Sequence, residues 1–152
     1  MKVSVFQHET KVLKALSHPK RLEIVHLLGS RELTATDIQR MTGFPQANLS
    51  QHLRELKVAR IIVAERESKN IRYRLAHPSF LQITKILQET SAPQKAKTRE
   101  TKKSEVQDLV CRMWVEPAGT PFQTIYKGAT YFFCASGCQK HFVTSPEKYA
   151  KR

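Results

Sequence analysis

Residues 89–106, Glu-Thr-Ser-Ala-Pro-Gln-Lys-Ala-Lys-Thr-Arg-Glu-Thr-Lys-Lys-Ser-Glu-Val, hold almost no large apolar side chain. A stretch that cannot bury apolar surface cannot join a core. It reads as a basic linker with room for some helix. The 152-residue chain is therefore expected to form two small domains, residues 1–88 and 107–152. Each would bury only roughly 60% of its unfolded surface. Each has reason to seek support, dimerisation for the first and a metal for the second.

The first domain shows helical spacing and then changes period. Val12, Leu13 and Leu16 fit an amphipathic first helix. Ser17 precedes His18-Pro19, a helix start with proline in the first turn. Leu22, Ile24, Val25 and Leu28 give the second helix its apolar face, and Gly29 ends it. Thr34-Ala-Thr-Asp37 resembles a capping sequence before Ile38 and Met41, and Thr42-Gly43 makes a turn. A helix from about Pro45 to Lys57 carries Leu49, Leu53 and Leu56 at i, i+4 and i+7, one buried stripe. Beyond it Ile61 and Val63, then Ile71, Tyr73 and Leu75, alternate with polar neighbours. Arg66-Glu-Ser-Lys-Asn70 supplies the turn, so a β-hairpin is expected. Residues 78–88, with Phe80, Ile83 and Leu87, return to helical spacing.

Three helices followed by a hairpin make a winged helix-turn-helix, with the turn helix at about 36–42 and the reading helix at about 45–57. If the leucine stripe faces the core, Gln46, Asn48, Ser50, Gln51 and Arg54 face outward. Gln and Asn can bond adenine in bidentate fashion, Arg can bond guanine, and Ser can bond phosphate or base. Arg72 and Arg74 point opposite to Ile71, Tyr73 and Leu75. With Arg66 and Lys69 they form a wing suited to phosphates or a minor groove. The formal net charge is +13, and residues 1–88 carry +8 of it. Such a balance points to a polyanionic partner, nucleic acid before an anionic membrane surface. The bland alternative is a solvated basic face on a small helical domain.

Leu16-Ser-His-Pro-Lys-Arg-Leu22 and Gln46-Ala-Asn-Leu-Ser-Gln-His-Leu-Arg-Glu-Leu56 resemble the ArsR/SmtB family of bacterial metal-responsive repressors, over about residues 8–88. The resemblance implies a homodimer joined by the first and last helices of this domain, bound to an inverted-repeat operator in double-stranded DNA. Dimer symmetry then spaces the half-sites by about one helical turn or a multiple of it. Many family members bear cysteines in the segment that here reads Glu32-Leu-Thr-Ala-Thr-Asp37-Ile38, where this chain has Thr34 and Thr36. Nor does the last helix, 78–88, offer the histidine and carboxylates of the family's other common site. His77 stands just before it and reads as a helix-start residue. The family's usual sensing sites are thus expected to be missing from this domain.

All three cysteines lie in the last third, as Cys111, Cys134 and Cys138. Lys127-Gly128 suggests a tight hairpin turn. Tyr131 and Phe133 would alternate with Phe132 in a strand that delivers Cys134. Cys138 and Phe142, four apart, share a face of the helix that follows. The spacing C-x22-C-x3-C and the run Tyr131-Phe-Phe-Cys134…Gly137-Cys138…Phe142…Pro146-Glu-Lys-Tyr149 resemble a YHS domain, of the broader TRASH-like group of metal-associated modules. The pattern departs at Leu109 and Arg112, where Pro and Gly are usual. The expected fold class is α+β, a mainly helical winged domain followed by a small α+β cysteine module.

Three convergent thiolates suit soft or borderline ions, with Cu(I) and Zn(II) foremost, and by softness Ag(I), Hg(II) or As(III). His141 as a fourth ligand would complete a closed zinc site; Met113, two after Cys111, would favour Cu(I). The alternatives are buried core thiols, a protein-binding module, or zinc that only holds the module together. The leading expectation is a DNA-binding transcriptional repressor that responds to a thiophilic metal at Cys111, Cys134 and Cys138. A thiol-based redox-responsive regulator is the second reading. A metallochaperone or small thiol enzyme is the third, but no nucleophilic constellation or phosphate-binding glycine loop supports catalysis. No apolar run approaches the roughly 18 residues of a membrane span, and the first residues lack a signal-peptide core. A cytoplasmic protein is therefore expected, where three thiols do not form a disulfide framework.

Overall fold

The computed structural model describes residues 6–91 and 105–150. The chain divides into two units, one built mainly from residues up to Thr90 and the other mainly from Ser91 onward. Of the expected linker 89–106, residues 92–104 lie outside the described residues. Its start, Glu89–Ser91, still belongs to a helix, and Val106 opens a strand.

The first unit begins with α1 (Gln7–Leu16) and α2 (Pro19–Leu28). His18 caps α2: its Nδ1 accepts the N–H of Lys20 at 3.2 Å. At the other end Gly29 lets the Leu81 side chain pack close: a Cβ there would lie 2.6 Å from both of its terminal carbons, which would have to shift. A two-residue strand β1 (Leu33–Thr34) leads into α3 (Ala35–Thr42). Thr34 and Asp37 cap α3 reciprocally. The Thr34 hydroxyl donates to Asp37 Oδ2 at 2.6 Å and accepts the Asp37 N–H at 3.2 Å. The capping expectation thus holds, with Asp in place of the usual Glu or Gln. A glycine turn, with Gly43 at φ +72°, leads to α4 (Gln46–Val58).

The hairpin is β2 (Ile62–Glu67) and β3 (Asn70–Leu75), closed by Ser68-Lys69 alone with Ser68 at φ +54°. The strands thus run further into the expected turn. β1 adds to the far edge of β3, giving an antiparallel sheet in the order β1-β3-β2. The last helix, α5, spans Ser79–Ser91, and His77 Nδ1 accepts the Ser79 N–H at its start.

The core of this unit gathers Leu16, Ile24, Val25, Leu28, Ile38, Leu49, Leu53, Leu56, Ile61 and Ile62, all buried. The α4 stripe is therefore as its spacing predicts. Some expected apolar positions differ, and Leu22, Tyr73, Leu75, Phe80 and Ile83 are only half-buried. Ile62 rather than Val63 accompanies Ile61 inside. Ile71 is exposed, because the outer half of the hairpin extends past the helices that would cover it. Leu13 of α1 and Leu87 of α5 are also exposed.

The second unit is built from two ribbons and two short helices. β4 (Val106–Gln107) pairs with β5 (Trp114–Val115) and brackets a turn. A 3₁₀ turn, Pro117–Gly119, precedes β6 (Gln123–Tyr126) and β7 (Ala129–Phe132). Lys127 and Gly128 join these strands with φ of +48° and +79°. Positive φ at both centres is the twist-matched hairpin turn, which is why glycine sits there. The strand stops at Phe132, one residue short of expectation. Phe133 still donates its N–H to Phe122 O at 2.8 Å and enters the core. α6 (Ser136–Thr144) and α7 (Pro146–Tyr149) follow. Phe142 is the hub of the core, its ring 4.8 Å from Tyr131, 5.1 Å from Phe133, 6.0 Å from Tyr126 and 6.4 Å from Tyr149. Such aromatic pairs add about 0.5–1.5 kcal/mol each beyond area burial. No helix among the described residues is long and apolar enough to cross a membrane.

Candidate metal centre and nucleic-acid interface

Two peptide segments carry the thiols of the second unit. The first is the turn between β4 and β5. Asp108 donates its N–H to Met113 O at 2.7 Å, and Arg112 donates its N–H to Asp108 O at 2.7 Å. The Gln107 side chain donates to Arg112 O at 3.0 Å. This turn forces Arg112 to φ +62°, the left-handed region that favours glycine. The departure from Gly at this position therefore leaves the turn in place and puts strain in it. Leu109, the other departure, is a partly exposed turn residue.

The second segment runs from β7 into α6. Cys134 follows the strand, and Cys138 lies in the first turn of α6, where the helix dipole favours a thiolate. Cys134 Sγ lies 3.4 Å from Cys111 Sγ and 3.7 Å from Cys138 Sγ. Phe133, Ala135 and Phe142 are fully buried around these thiols in sequence, so the trio sits at the edge of an apolar core.

A fourth residue joins them. Ligand atoms of Asp108, Cys111, Cys134 and Cys138 all lie within 4.8 Å of one another. Asp108 is fully buried. Its Oδ1 accepts the N–H of Val110 at 2.8 Å and of Cys111 at 3.4 Å, and its Oδ2 accepts the N–H of Cys134 at 2.9 Å. Sequence reasoning gave Asp108 no role. The available signal was Asp-x-x-Cys within a turn, since a carboxylate readily accepts the N–H groups two and three residues on. His141 is exposed and outside this group, and Met113 enters the turn through its carbonyl.

The electrostatics follow from the crowding. Hydrogen bonds from Cys134 and Cys138 hold the Cys111 thiol far below its ordinary value. The bond to Cys111 raises both Cys134 and Cys138; Cys134 also donates to Cys138 Sγ at 3.7 Å, which raises Cys134 further and partly offsets the rise of Cys138, and burial adds to both. Burial raises the Asp108 carboxyl, against the opposing Cys134 N–H. One negative charge on sulfur is thus shared, and the next is resisted until a cation arrives. Buried, convergent thiols with this charge pattern fit a thiophilic ion.

In the first unit Gln46, Asn48, Ser50, Gln51 and Arg54 are all exposed on α4. Gln51 and Arg54, with Ala47 and Val58, lie opposite the buried Leu49, Leu53 and Leu56 by helical spacing. The wing is more constrained than its sequence suggests. Arg72 is ion-paired with Glu67. Arg74 reaches Glu65 at 2.5 Å, diagonal to it across the β2–β3 register, and Glu32 at 3.9 Å. Arg66 donates to Ser68 O at 3.3 Å, and Lys69 is exposed at the tip.

A family model described as bacterial regulatory protein, arsR family, matches residues 18–63. A second, the YHS domain, matches residues 106–152. The HTH-type transcriptional regulator YgaV of Escherichia coli is 34% identical over 83 residues, which is 54% of this chain and 84% of that protein. The solved structure of the transcriptional repressor BigR from Xylella fastidiosa superposes with a TM-score of 0.52 at 32% identity, covering 57% of this chain and 88% of that one. The homodimeric winged helix-turn-helix DNA-binding domain of a possible ArsR-family regulator from Mycobacterium bovis gives 0.55 at 25% identity, covering 64% and 90%. With its capped helices, exposed α4 face and β2–β3 wing, the chain belongs to the ArsR family of bacterial regulatory proteins and carries a YHS domain at its C-terminal end.

Proposed function

We propose that this chain is a homodimeric transcriptional repressor whose operator affinity is set by a thiophilic metal ion at Cys111, Cys134 and Cys138. The observation that carries the reading is the buried group of three thiols and one carboxylate within 4.8 Å. Cu(I) or Zn(II) supplies the chemistry of drawing the thiolates together; the chain supplies the donors and the dry wall around them. The first unit offers no comparable group of His, Cys, Asp or Glu among the described residues, so the signal enters through the YHS unit.

DNA recognition is assigned to Gln46, Asn48, Ser50, Gln51 and Arg54 on α4, with Arg66, Lys69, Arg72 and Arg74 on the wing. Double-stranded operator DNA with an inverted repeat suits a two-fold dimer. Exposed Leu13 on α1 and exposed Ile86 and Leu87 on α5 support dimerisation through these two helices, as does the homodimeric relative. Residues 1–88 then form the reader, 89–106 the tether and 107–152 the sensor, in a cytoplasmic protein. Elemental analysis of the purified chain and of Cys134→Ser tests the metal. A near-stoichiometric ion in the first and none in the second supports the reading, and no ion in either sinks it.

The 3.4 Å separation of Cys111 and Cys134 Sγ favours one second reading. A peroxide-class oxidant would take two electrons from these thiols, form the disulfide and leave as water. Mass spectrometry after mild peroxide treatment decides: a two-hydrogen loss on the Cys111–Cys134 pair that also changes operator binding favours it over the metal.

A further inference from the structure

The proposal concerns Asp108 and rests on the metal reading above. The two thiol-bearing segments are far apart in sequence, and no disulfide joins them. Beside the Cys111–Cys134 sulfur contact, one buried carboxylate bridges them. One oxygen gathers the N–H groups of Val110 and Cys111 within its own turn, and the other reaches across to the Cys134 N–H at 2.9 Å. Backbone hydrogen bonds to Met113 O and from Arg112 fix Asp108 in that turn. Its side chain therefore has one geometry, and that geometry sets the Cys111 backbone against the Cys134 backbone.

A carboxylate has about four acceptor positions, and three of those on Asp108 face backbone N–H groups. The Cys134 side chain also hydrogen-bonds this carboxylate, so an ion bound through its oxygens would displace a bond, and those to the buried N–H groups have no replacement in the pocket. The sulfurs are held to one another through S–H groups, and those protons are the ones a metal displaces. We propose that Asp108 is a positioning residue for the metal centre, holding Cys111 and Cys134 in register, and that the ion is bound by the three thiolates without it. The site is then a three-sulfur site, which takes ions content with three soft donors.

The experiment uses the full chain and two spectroscopic probes. Cd(II) reports thiolate ligation through its sulfur-to-metal charge-transfer intensity, and Co(II) reports coordination through its visible ligand-field bands. Asp108→Asn keeps an acceptor for the turn but turns an amide toward the Cys134 N–H. It should keep the Cd(II) intensity and Co(II) bands of the unaltered chain while weakening Cd(II) binding about 10–100-fold, the ordinary cost of losing an outer partner. Asp108→Glu should recover part of that affinity. If the asparagine variant does not fold, the same substitution with Arg112→Gly, which relieves the left-handed turn, carries the measurement. Shifted Co(II) bands in Asp108→Asn would make Asp108 a ligand and overturn the proposal, as would affinity within about twofold of the unaltered chain. Cys134→Ser separates the two claims. If it keeps full Cd(II) intensity and affinity, the metal reading itself fails; if it loses them while Asp108→Asn changes nothing, only the role of Asp108 fails.

Discussion

Asp108 Oδ2 accepts the Cys134 N–H at 2.9 Å across 26 residues of sequence, while Oδ1 of the same carboxylate closes the turn around Cys111. The thiol centre is organised by this bond as much as by its sulfurs. Its consequences extend to proton balance, to turn strain and to how much of the site a sequence can reveal.

The protonation pattern predicts proton release. Cys111 is lowered by its neighbours and Cys134 and Cys138 are raised, so the trio shares one negative charge and keeps two protons at neutral pH. A metal must displace them, so about two protons should leave per ion at pH 7. Affinity should rise with pH through the neutral range, because protons compete for raised thiols. Calorimetry in buffers of different ionisation enthalpy measures the proton count directly.

The turn strain predicts a stabilising substitution. Arg112 sits at φ +62°, where a Cβ is costly and glycine is not. Arg112→Gly should raise the stability of the C-terminal unit by about 0.5–1 kcal/mol, net of the entropy that glycine loses on folding. Chemical denaturation followed through Trp114 fluorescence, with the slope unchanged, reads it.

The winged half was more legible in the sequence than the thiol half. Its Leu49, Leu53 and Leu56 stripe and Thr34–Asp37 cap are local devices that local spacing reveals, as is the Lys127-Gly128 turn in the thiol half. β1 escaped because two residues have no period; only β3, distant in sequence, makes Leu33–Thr34 a strand. Ile71, Leu13 and Leu87 looked like core because an apolar residue at the right spacing does not say whether an element covers it. Asp108 escaped for a related reason. Its partners lie in a second segment, and burial of a carboxylate is a tertiary fact.

DNA recognition predicts unequal effects along α4 and the wing. Arg54→Ala or Gln51→Ala should weaken specific operator binding by about 1–3 kcal/mol and relax sequence preference. Gln46→Ala, in the first turn, should act in the same direction. Lys69→Ala should weaken all duplexes alike and reduce the salt slope by about one. Fluorescence anisotropy on matched and scrambled duplexes over a salt series separates the two classes.

Glu67 holds Arg72 in an exposed ion pair, and a phosphate must compete for the same guanidinium. Glu67→Gln should therefore strengthen duplex binding and steepen its salt dependence, at little cost in stability, since such surface pairs contribute about 0–1 kcal/mol. The same anisotropy series measures it; weaker binding would show that Glu67 aims Arg72 rather than restraining it.

His26 predicts a pH effect on the winged unit. Its Nδ1 is buried with no hydrogen-bond partner among the described residues, and burial, followed by the charge of Lys85, lowers its pKa below 6.5. The unfolded chain then binds a proton that the folded one refuses. Stability is full above about pH 6.5 and falls as the pH drops toward the folded-state value. His26→Gln should flatten that fall in urea midpoints measured from pH 7 to 5.

Under the proposed function the YHS thiols control the DNA-binding half. Operator affinity is therefore measured for the full chain with and without one equivalent of Cu(I) or Zn(II), beside the same titration on Cys134→Ser. A change of about 5–150-fold, a coupling of about 1–3 kcal/mol, is expected in the unaltered chain and none in the variant. Equal operator affinity with and without either metal in the unaltered chain would refute metal control.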